Sequence, residues 1–190
     1  MDPKTKIYKA YFELKTLKLY YNQIKDYTKL SHSSLQNQLK KLVEQKVLVQ
    51  QKTKGNVFFI IKDKKFISLK FSELALMNFR NLNTNIKIPL DYFLTSVPNE
   101  VFTIVLFGSA SRKEETKKSD VDLLVVSFSK VDLKTNEERF LVTSKHNLSL
   151  FECSLNDFKE SKDPIITQAK KTGFPIHNEQ KFYEEIINEY

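Results

Sequence analysis

Two short apolar segments, residues 101–107 and 121–126, constrain the fold of this chain more than any other part of the sequence. Each is rich in β-branched and aromatic residues and has the length of a strand, too short for an independent helix. Between them, Gly108 permits a sharp turn and a close approach of the backbone to a bound group. Alternation along the second strand places Asp120 and Asp122 on one face. Because two adjacent carboxylates repel each other unless a cation lies between them, we expect a Mg²⁺ or Mn²⁺ site, completed by phosphates and water.

The order Gly-Ser, ten residues and Asp-x-Asp resembles the signature of the nucleotidyltransferase superfamily that includes DNA polymerase beta, and most closely its minimal stand-alone members. The resemblance is carried by Gly108, Ser109, Ala110, Ser111 and Arg112, followed by Ser119, Asp120, Val121, Asp122 and Leu123. Lys113 stands where the family usually has glycine.

The resemblance implies a small mixed sheet with flanking helices and a defined set of roles. Gly108, Ser109 and Arg112 would bind the nucleotide, and Asp120 and Asp122 would hold the metal and serve catalysis. The implied reaction is transfer of a nucleoside monophosphate from an NTP, with ATP as the expected donor, to an acceptor hydroxyl on a protein or RNA. Lys113, Lys117 and Lys118 either attract the triphosphate or belong to a solvated loop.

A third carboxylate is expected in active members of this superfamily, on the strand next to the Asp-x-Asp pair. The comparable triplet here is Leu148-Ser149-Leu150, so Ser149 would take the ligand position without a charge. Glu152 lies three residues further on, where alternation sends it to the opposite face unless a bulge restores it. Two carboxylates fit one metal ion better than a two-metal arrangement.

Positive charge is concentrated in the first third of the chain. Residues 1–62 carry 13 lysines, no arginine and four acidic residues, a net charge of +9, whereas the whole chain carries +8. This asymmetry indicates two modules with different partners. The basic module either binds nucleic acid or presents a lysine-rich, solvated surface.

The basic module resembles a winged helix-turn-helix. Three helical segments are followed by two strands around a turn at Gly55, and Leu35, Leu39 and Leu42 form the apolar stripe of the third helix. The third helix would enter the major groove of DNA and the wing would meet the backbone. The predicted contacts are Ser33, Ser34, Gln36, Asn37, Lys40, Lys52 and Lys54. Winged helices also dock proteins, so charge and pattern leave both functions open.

The predicted fold class is α+β, with a winged helix-turn-helix at residues 1–62, a helical connector at 63–89 and a nucleotidyltransferase domain at 90–190. The aromatic connector, with a helix expected from Ser72, would pack the two modules together or pair two protomers. No apolar run reaches the ~20 residues of a membrane span, and the N-terminus lacks the apolar core of a signal peptide. The lone Cys153 has no partner for an internal disulfide. These features predict a cytoplasmic protein.

Two functions are consistent with these patterns. The first is an active nucleotidyltransferase of the antitoxin type, which would modify or pair with a HEPN-type RNase, as minimal nucleotidyltransferases often do, and bind its operator through residues 1–62. The second is a DNA-binding regulator whose nucleotidyltransferase domain has lost catalysis. Gly108, Ser109 and the Asp120–Asp122 pair favour the enzyme, and Ser149 favours the regulator.

Overall fold

The chain folds into two units, which the computed structural model describes over residues 1–160 and 162–190. The first unit consists of Met1–Leu74 together with Tyr183–Tyr190, and the second is Ala75–Phe182. Within these described residues, every helix is too short or too polar to cross a membrane.

The first unit opens with helices and strands that alternate along the chain. Its elements are α1 (Pro3–Leu14), β1 (Lys18–Tyr20), α2 (Tyr21–Thr28), α3 (His32–Glu44), β2 (Leu48–Lys52) and β3 (Val57–Ile61). The three strands form an antiparallel sheet in the order β1-β3-β2. Helix α4 (Lys64–Arg80) follows and supplies residues to both units.

Local sequence signals explain where these helices begin. The Asp2 side chain accepts hydrogen bonds from the backbone of Lys4 and Thr5, which caps α1 ahead of Pro3. In the same way, the Ser31 hydroxyl accepts a hydrogen bond from the Ser34 backbone and caps α3. The predicted stripe of α3, Leu35, Leu39 and Leu42, is fully buried.

Aromatic rings fill the core of the first unit. Tyr183, from the C-terminal segment, lies with its ring centroid 5.9 Å from that of Phe12 and 5.6 Å from that of Phe71. The buried hydroxyl of Tyr11 donates a hydrogen bond to the Phe59 carbonyl at 2.9 Å, which ties α1 to the sheet. Residues at both ends of the sequence therefore contribute to a single core.

The second unit places helices around a four-stranded mixed sheet. Its elements are α5 (Thr84–Phe93), a 3-10 turn at Leu94–Ser96, β4 (Val101–Phe107), α6 (Gly108–Arg112), β5 (Val121–Ser127), α7 (Lys134–Thr143), β6 (Leu148–Ser154), α8 (Leu155–Glu160), α9 (Pro164–Thr172) and β7 (Phe174–His177). The last helix, α10 (Glu179–Ile186), begins in this unit and continues into the first unit from Tyr183. The strand order is β6-β5-β4-β7, in which β5 and β6 run parallel and the other pairs run antiparallel. The small mixed sheet with flanking helices agrees with the α+β class expected for the second part of the chain.

The central strands of this sheet are buried on both faces. Every residue of β4 is buried, and in β5 all residues except the half-buried Asp122 are buried. Strands covered on both faces need near-continuous apolar sequence, which explains why both appear as unbroken apolar runs. Asp122 is therefore a polar group set at the edge of an apolar core.

The connector differs from its predicted form. Helix α4 begins at Lys64 rather than at Ser72, because Asp63 caps it by accepting a hydrogen bond from the Phe66 backbone at 3.0 Å. The Ser72 hydroxyl instead donates to the Ser68 carbonyl one turn earlier, at 2.8 Å. A serine inside a helix can bond in this way, so its presence alone does not mark a helix start.

The division into units also differs from the predicted boundaries at residues 62 and 90. The first unit ends at Leu74, inside the segment predicted to be a connector, and regains residues from Tyr183 onward. The physical reason is the aromatic core described above, since Phe71 and Tyr183 pack together in the first unit.

Candidate nucleotide-binding and metal-binding site

The turn after β4 places the backbone of Gly108 directly against Asp122. Phe107 and Asp122 are register partners across β4 and β5. Gly108 has a φ of +71°, and a Cβ atom added there would lie 2.0 Å from the Asp122 Oδ2 atom. Glycine is therefore required both by the left-handed backbone and by the carboxylate that fills the space of a side chain.

Helix α6 holds the other predicted nucleotide-binding residues, Ser109 and Arg112. The Arg112 side chain donates from Nη1 to the Gly108 carbonyl at 2.9 Å and from Nε to Glu114 Oε2 at 2.7 Å. Its guanidinium therefore braces the turn, with 43% of the side chain exposed. Lys113 ends this helix with a φ of +60°, a conformation that favours glycine, and it stands where the resembling family usually has glycine.

The two carboxylates at the start of β5 differ in their surroundings. Asp120 is exposed, and its oxygens accept hydrogen bonds from Asn147 Nδ2 at 3.2 Å and from the Ser149 hydroxyl at 3.3 Å. Asp122 is half-buried. Burial raises the pKa of the Asp122 carboxyl above its ordinary value, and the nearby negative charge of Asp120 raises it further. A cation placed at this pair would relieve the repulsion.

Strand β6 brings Ser149, and not Glu152, to the carboxylate pair. The parallel register is continuous from Val121–Leu148 to Ser127–Ser154, with Ser149 opposite Asp122 and Glu152 opposite Val125. No bulge interrupts these described residues, so Glu152 lies on the face opposite Asp122. Ser149 instead occupies the position expected for a third carboxylate.

The donor set at this site fits one divalent cation held by two carboxylates. Mg²⁺ prefers carboxylate oxygens and keeps several waters or phosphate oxygens, so it needs few protein ligands. Over residues 1–160 and 162–190, no cluster of three or more histidine, cysteine, aspartate or glutamate side chains is arranged to hold a metal ion. Asp120 and Asp122 would therefore need phosphate oxygens to complete the coordination.

Residues 92–182 match the family described as Polymerase beta, Nucleotidyltransferase. The match supports the nucleotidyltransferase superfamily for this part of the chain, and it contains the Gly108 turn, both carboxylates and Ser149. It also ends at Phe182, the last residue of the second unit. Searches of curated proteins and of solved structures gave no significant match.

The nucleotidyltransferase domain contains two polar residues that sequence analysis missed. Asn147 donates to Asp120, and His146, only 6% exposed, lies with Nδ1 2.9 Å from the Ser119 carbonyl oxygen. His146 therefore carries its proton on Nδ1 and fixes the backbone just ahead of Asp120. The signal in the sequence is the dipeptide His146-Asn147 immediately before β6. It becomes informative only once β6 is known to pair with β5, the strand of the two carboxylates.

Other predicted residues of the nucleotidyltransferase domain remain apart from the carboxylates. Lys113, Lys117 and Lys118 are exposed in the segment between α6 and β5. No contact in the described residues ties them to Asp120 or Asp122, so both the nucleotide-attracting and the solvated alternatives remain predictions.

The residues predicted to contact DNA lie in the first unit. Along α3, Ser33, Gln36, Asn37 and Lys40 are exposed and Ser34 is half-buried. Lys52 and Lys54 are exposed at the β2–β3 hairpin. Gln36, Asn37 and Lys40 also line a cavity of about 750 Å³ that Gly55 and Asn56 of the hairpin border. The structure therefore brings Gln36, Asn37 and Lys40 together at one cavity beside the hairpin. The other four predicted residues do not line this cavity.

Proposed function

We propose that this protein is a Mg²⁺-dependent nucleotidyltransferase that transfers a nucleoside monophosphate, with ATP as donor, to an acceptor hydroxyl on a protein or RNA. The observation that carries the proposal is the contact between Gly108 and Asp122. It brings a turn suited to phosphate binding against a carboxylate pair suited to a cation.

Different residues of the chain would bind the phosphates, hold the metal ion and orient the carboxylates. The Ser109 hydroxyl and the backbone N–H groups of the turn would hold the β- and γ-phosphates. Asp120 and Asp122 would hold Mg²⁺, which when bound neutralises the charge that develops on the phosphates. Asn147 and Ser149 would hold the Asp120 side chain in place. The acceptor oxygen would bond to the α-phosphorus as the bond to the pyrophosphate breaks.

Labelled ATP tests the reaction directly. ATP labelled in the α-phosphate is incubated with Mg²⁺ and candidate acceptor proteins and RNAs, with wild type beside the double variant Asp120→Ala/Asp122→Ala. We expect label transfer with the wild type alone. Glu152→Gln is the matched control, because it removes an exposed carboxylate from the opposite face and should leave transfer unchanged. Absence of nucleotide binding and consumption by the wild type would refute the catalytic proposal.

The first unit is proposed to bind DNA as a winged helix. The order of α1, β1, α2, α3, β2 and β3, the capped helix α3 and the net charge of +9 over residues 1–62 support this assignment. Binding that depends on phosphate contacts should weaken steeply with salt, and removal of Lys40, Lys52 and Lys54 should reduce the salt slope by about one per lost contact. Binding that ignores both salt and these lysines would instead identify a protein-docking module.

An antitoxin role would join the two activities. A nucleotidyltransferase that modifies or pairs with a HEPN-type RNase would need a partner encoded beside it, and a DNA-binding unit would suit control of their shared operator. The resemblance to minimal nucleotidyltransferases supports this proposal. Inspection of the neighbouring gene, followed by co-purification of its product with this protein, tests it. A neighbour unrelated to RNases would count against the role.

A catalytically degenerate regulator is the second candidate, and Ser149 is the observation that favours it. An uncharged residue occupies the register position beside Asp122 where active members carry a third acid. In that case the nucleotidyltransferase domain would bind nucleotide without turnover. Nucleotide binding by the wild type without any label transfer, together with specific DNA binding, would support this candidate over the enzyme.

A further inference from the structure

The second unit contains a cavity, lined by both polar and apolar side chains, that the proposed reaction does not use. It has a volume of about 840 Å³ and lies between the start of α5, the segment before β5 and the segment before β6. This size is within the range of small-molecule sites in proteins. Neither Asp120 nor Asp122 lines the cavity. Any ligand held there would therefore be separate from the carboxylate pair.

Two lysines contribute positive charge to the rim of the cavity. Lys117 and Lys145 line it from two different segments, and both are exposed. Neither lysine forms an ion pair among the described residues. Two ammonium groups without an ion pair at one opening attract an anionic group such as a phosphate.

One residue that lines the same cavity carries a buried hydrogen-bond acceptor. Glu115 lines it, and one carboxylate oxygen, Oε1, accepts a hydrogen bond from Asn83. The other oxygen, Oε2, is buried and has no hydrogen-bond partner within residues 1–160 and 162–190. A buried carboxylate oxygen without a donor is costly, so a rotation of the Glu115 side chain that brings this oxygen to a ligand hydroxyl in the cavity would be favoured.

Apolar surface completes the lining. Ile88 of α5 is 44% exposed and lines the cavity beside Pro89. An exposed isoleucine in a concave site offers a contact for the flat face of a ring. Anion, hydroxyl and ring together describe the chemistry of a nucleoside phosphate.

The cavity is connected to the carboxylate pair through His146. This residue lines the cavity, accepts a hydrogen bond from Asn85 at 3.2 Å on Nε2 and donates from Nδ1 to the Ser119 carbonyl. Ser119 immediately precedes Asp120, so a ligand against His146 contacts a residue that holds the backbone of the catalytic segment. Occupancy of the cavity would thereby influence the position of Asp120.

We propose that this cavity is a second ligand site, which binds a nucleoside phosphate with its phosphate on Lys117 and Lys145 and a sugar hydroxyl on Glu115. Binding at this site does not depend on nucleotidyl transfer.

The test uses ADP and the full chain in which Asp120→Ala/Asp122→Ala removes the carboxylate pair. Calorimetric titration in EDTA should still detect ADP binding. Adding Lys117→Ala/Lys145→Ala should weaken it at least tenfold, whereas adding the matched pair Lys130→Ala/Lys134→Ala, exposed lysines outside the cavity, should change it less than twofold. Failure of the parent variant to bind ADP, or equal losses with both lysine pairs, would overturn the proposal.

Pyrophosphate distinguishes a nucleoside phosphate site from a general anion site. Glu115→Gln keeps the size of the side chain but removes its charge, so it should weaken ADP binding several-fold and leave pyrophosphate binding unchanged or stronger. An identical response of both ligands to Glu115→Gln would refute the assignment of the hydroxyl to Glu115. These measurements stay informative if the wild type shows no transfer, because they record binding in a variant that already lacks the carboxylate pair.

Discussion

At the scale of single residues, the site depends on the absence of a side chain at Gly108, where a carboxylate of the next strand fills the space. The sequence predicts that Gly108 turns the backbone and that Asp120 and Asp122 share a face. It does not predict that Asp122 Oδ2 would lie 2.0 Å from a Cβ at position 108, because that distance depends on the register between β4 and β5. Asn147 and His146 were missed for the same reason, since their partners lie 27 residues away in the sequence.

Gly108→Ala should destabilise the protein by more than about 2 kcal/mol and abolish nucleotide binding, because it adds a clash to the ~1–2 kcal/mol cost of a left-handed backbone. Gly55→Ala is the matched control. Gly55 also has a positive φ, +98°, but a Cβ there would meet nothing within 4 Å. Urea unfolding of both variants gives the difference. An equal decrease in the free energy of unfolding for both variants would show that the Asp122 side chain moves aside at no cost.

Asp122→Asn should raise the melting temperature at pH 7 in EDTA. The pKa of Asp122 is raised in the folded state, so the stability it contributes is complete below its ordinary value of 3.8 and is lost as pH rises through the folded value. Asparagine does not ionise, so the variant avoids this loss of stability. The difference in melting temperature between variant and wild type should therefore shrink as pH falls towards 4. Melting curves between pH 4 and 7 measure it. Glu100→Gln, an exposed acid of the same unit, should show no such trend.

At the scale of elements, the parts predicted best are those whose pattern is local. Strands β4 and β5 are unbroken apolar runs, and α3 combines a serine cap with a leucine stripe, so their bounds follow closely from the sequence. Strand β1 was missed because its three residues acquire their structure by pairing with β3, some forty residues later. The start of α4 was misplaced because Ser72 resembles a cap, whereas Asp63 caps the helix.

Strand β6 offers a test of what the missing third carboxylate costs. Ser149→Asp places a carboxylate opposite Asp122 and close to Asp120. Without metal, like-charge repulsion should lower the melting temperature. With Mg²⁺, binding should become about tenfold tighter, which adds about 1.4 kcal/mol of stabilisation at saturating concentrations. Melting temperature against Mg²⁺ concentration measures both effects.

The control for this substitution is Glu152→Gln on the same strand. Because Glu152 lies on the opposite face, its replacement should leave the Mg²⁺ dependence unchanged. A Mg²⁺ response that disappears in Glu152→Gln would mean that this carboxylate reaches the metal, contrary to the register.

At the scale of the whole molecule, the first unit is completed by residues that follow the second unit in the sequence. The predicted domain boundaries instead place these residues in the domain at 90–190. The amphipathic pattern of a helix shows which side is buried, but not which core it joins. That choice is decided by the aromatic partners of Tyr183, which are Phe12 and Phe71.

Tyr183→Ala should destabilise the first unit by about 3–5 kcal/mol, the usual cost of removing a large buried aromatic side chain. Tyr92→Ala, at a tyrosine that is 51% exposed in the second unit, should cost less than about 0.5 kcal/mol. Amide hydrogen exchange measures protection residue by residue. It therefore identifies which unit is destabilised, even if the two units unfold separately. Loss of protection confined to the second unit would contradict the assignment of Tyr183.

The discontinuous first unit has a consequence for the order in which the protein is made. Residues 75–182 leave the ribosome as an unbroken stretch, and the nucleotidyltransferase domain can fold as soon as they emerge. Residues 1–74 are synthesised earlier but must wait for Tyr183–Tyr190 before their core is complete. The unit translated first is therefore expected to be the last to reach its native state.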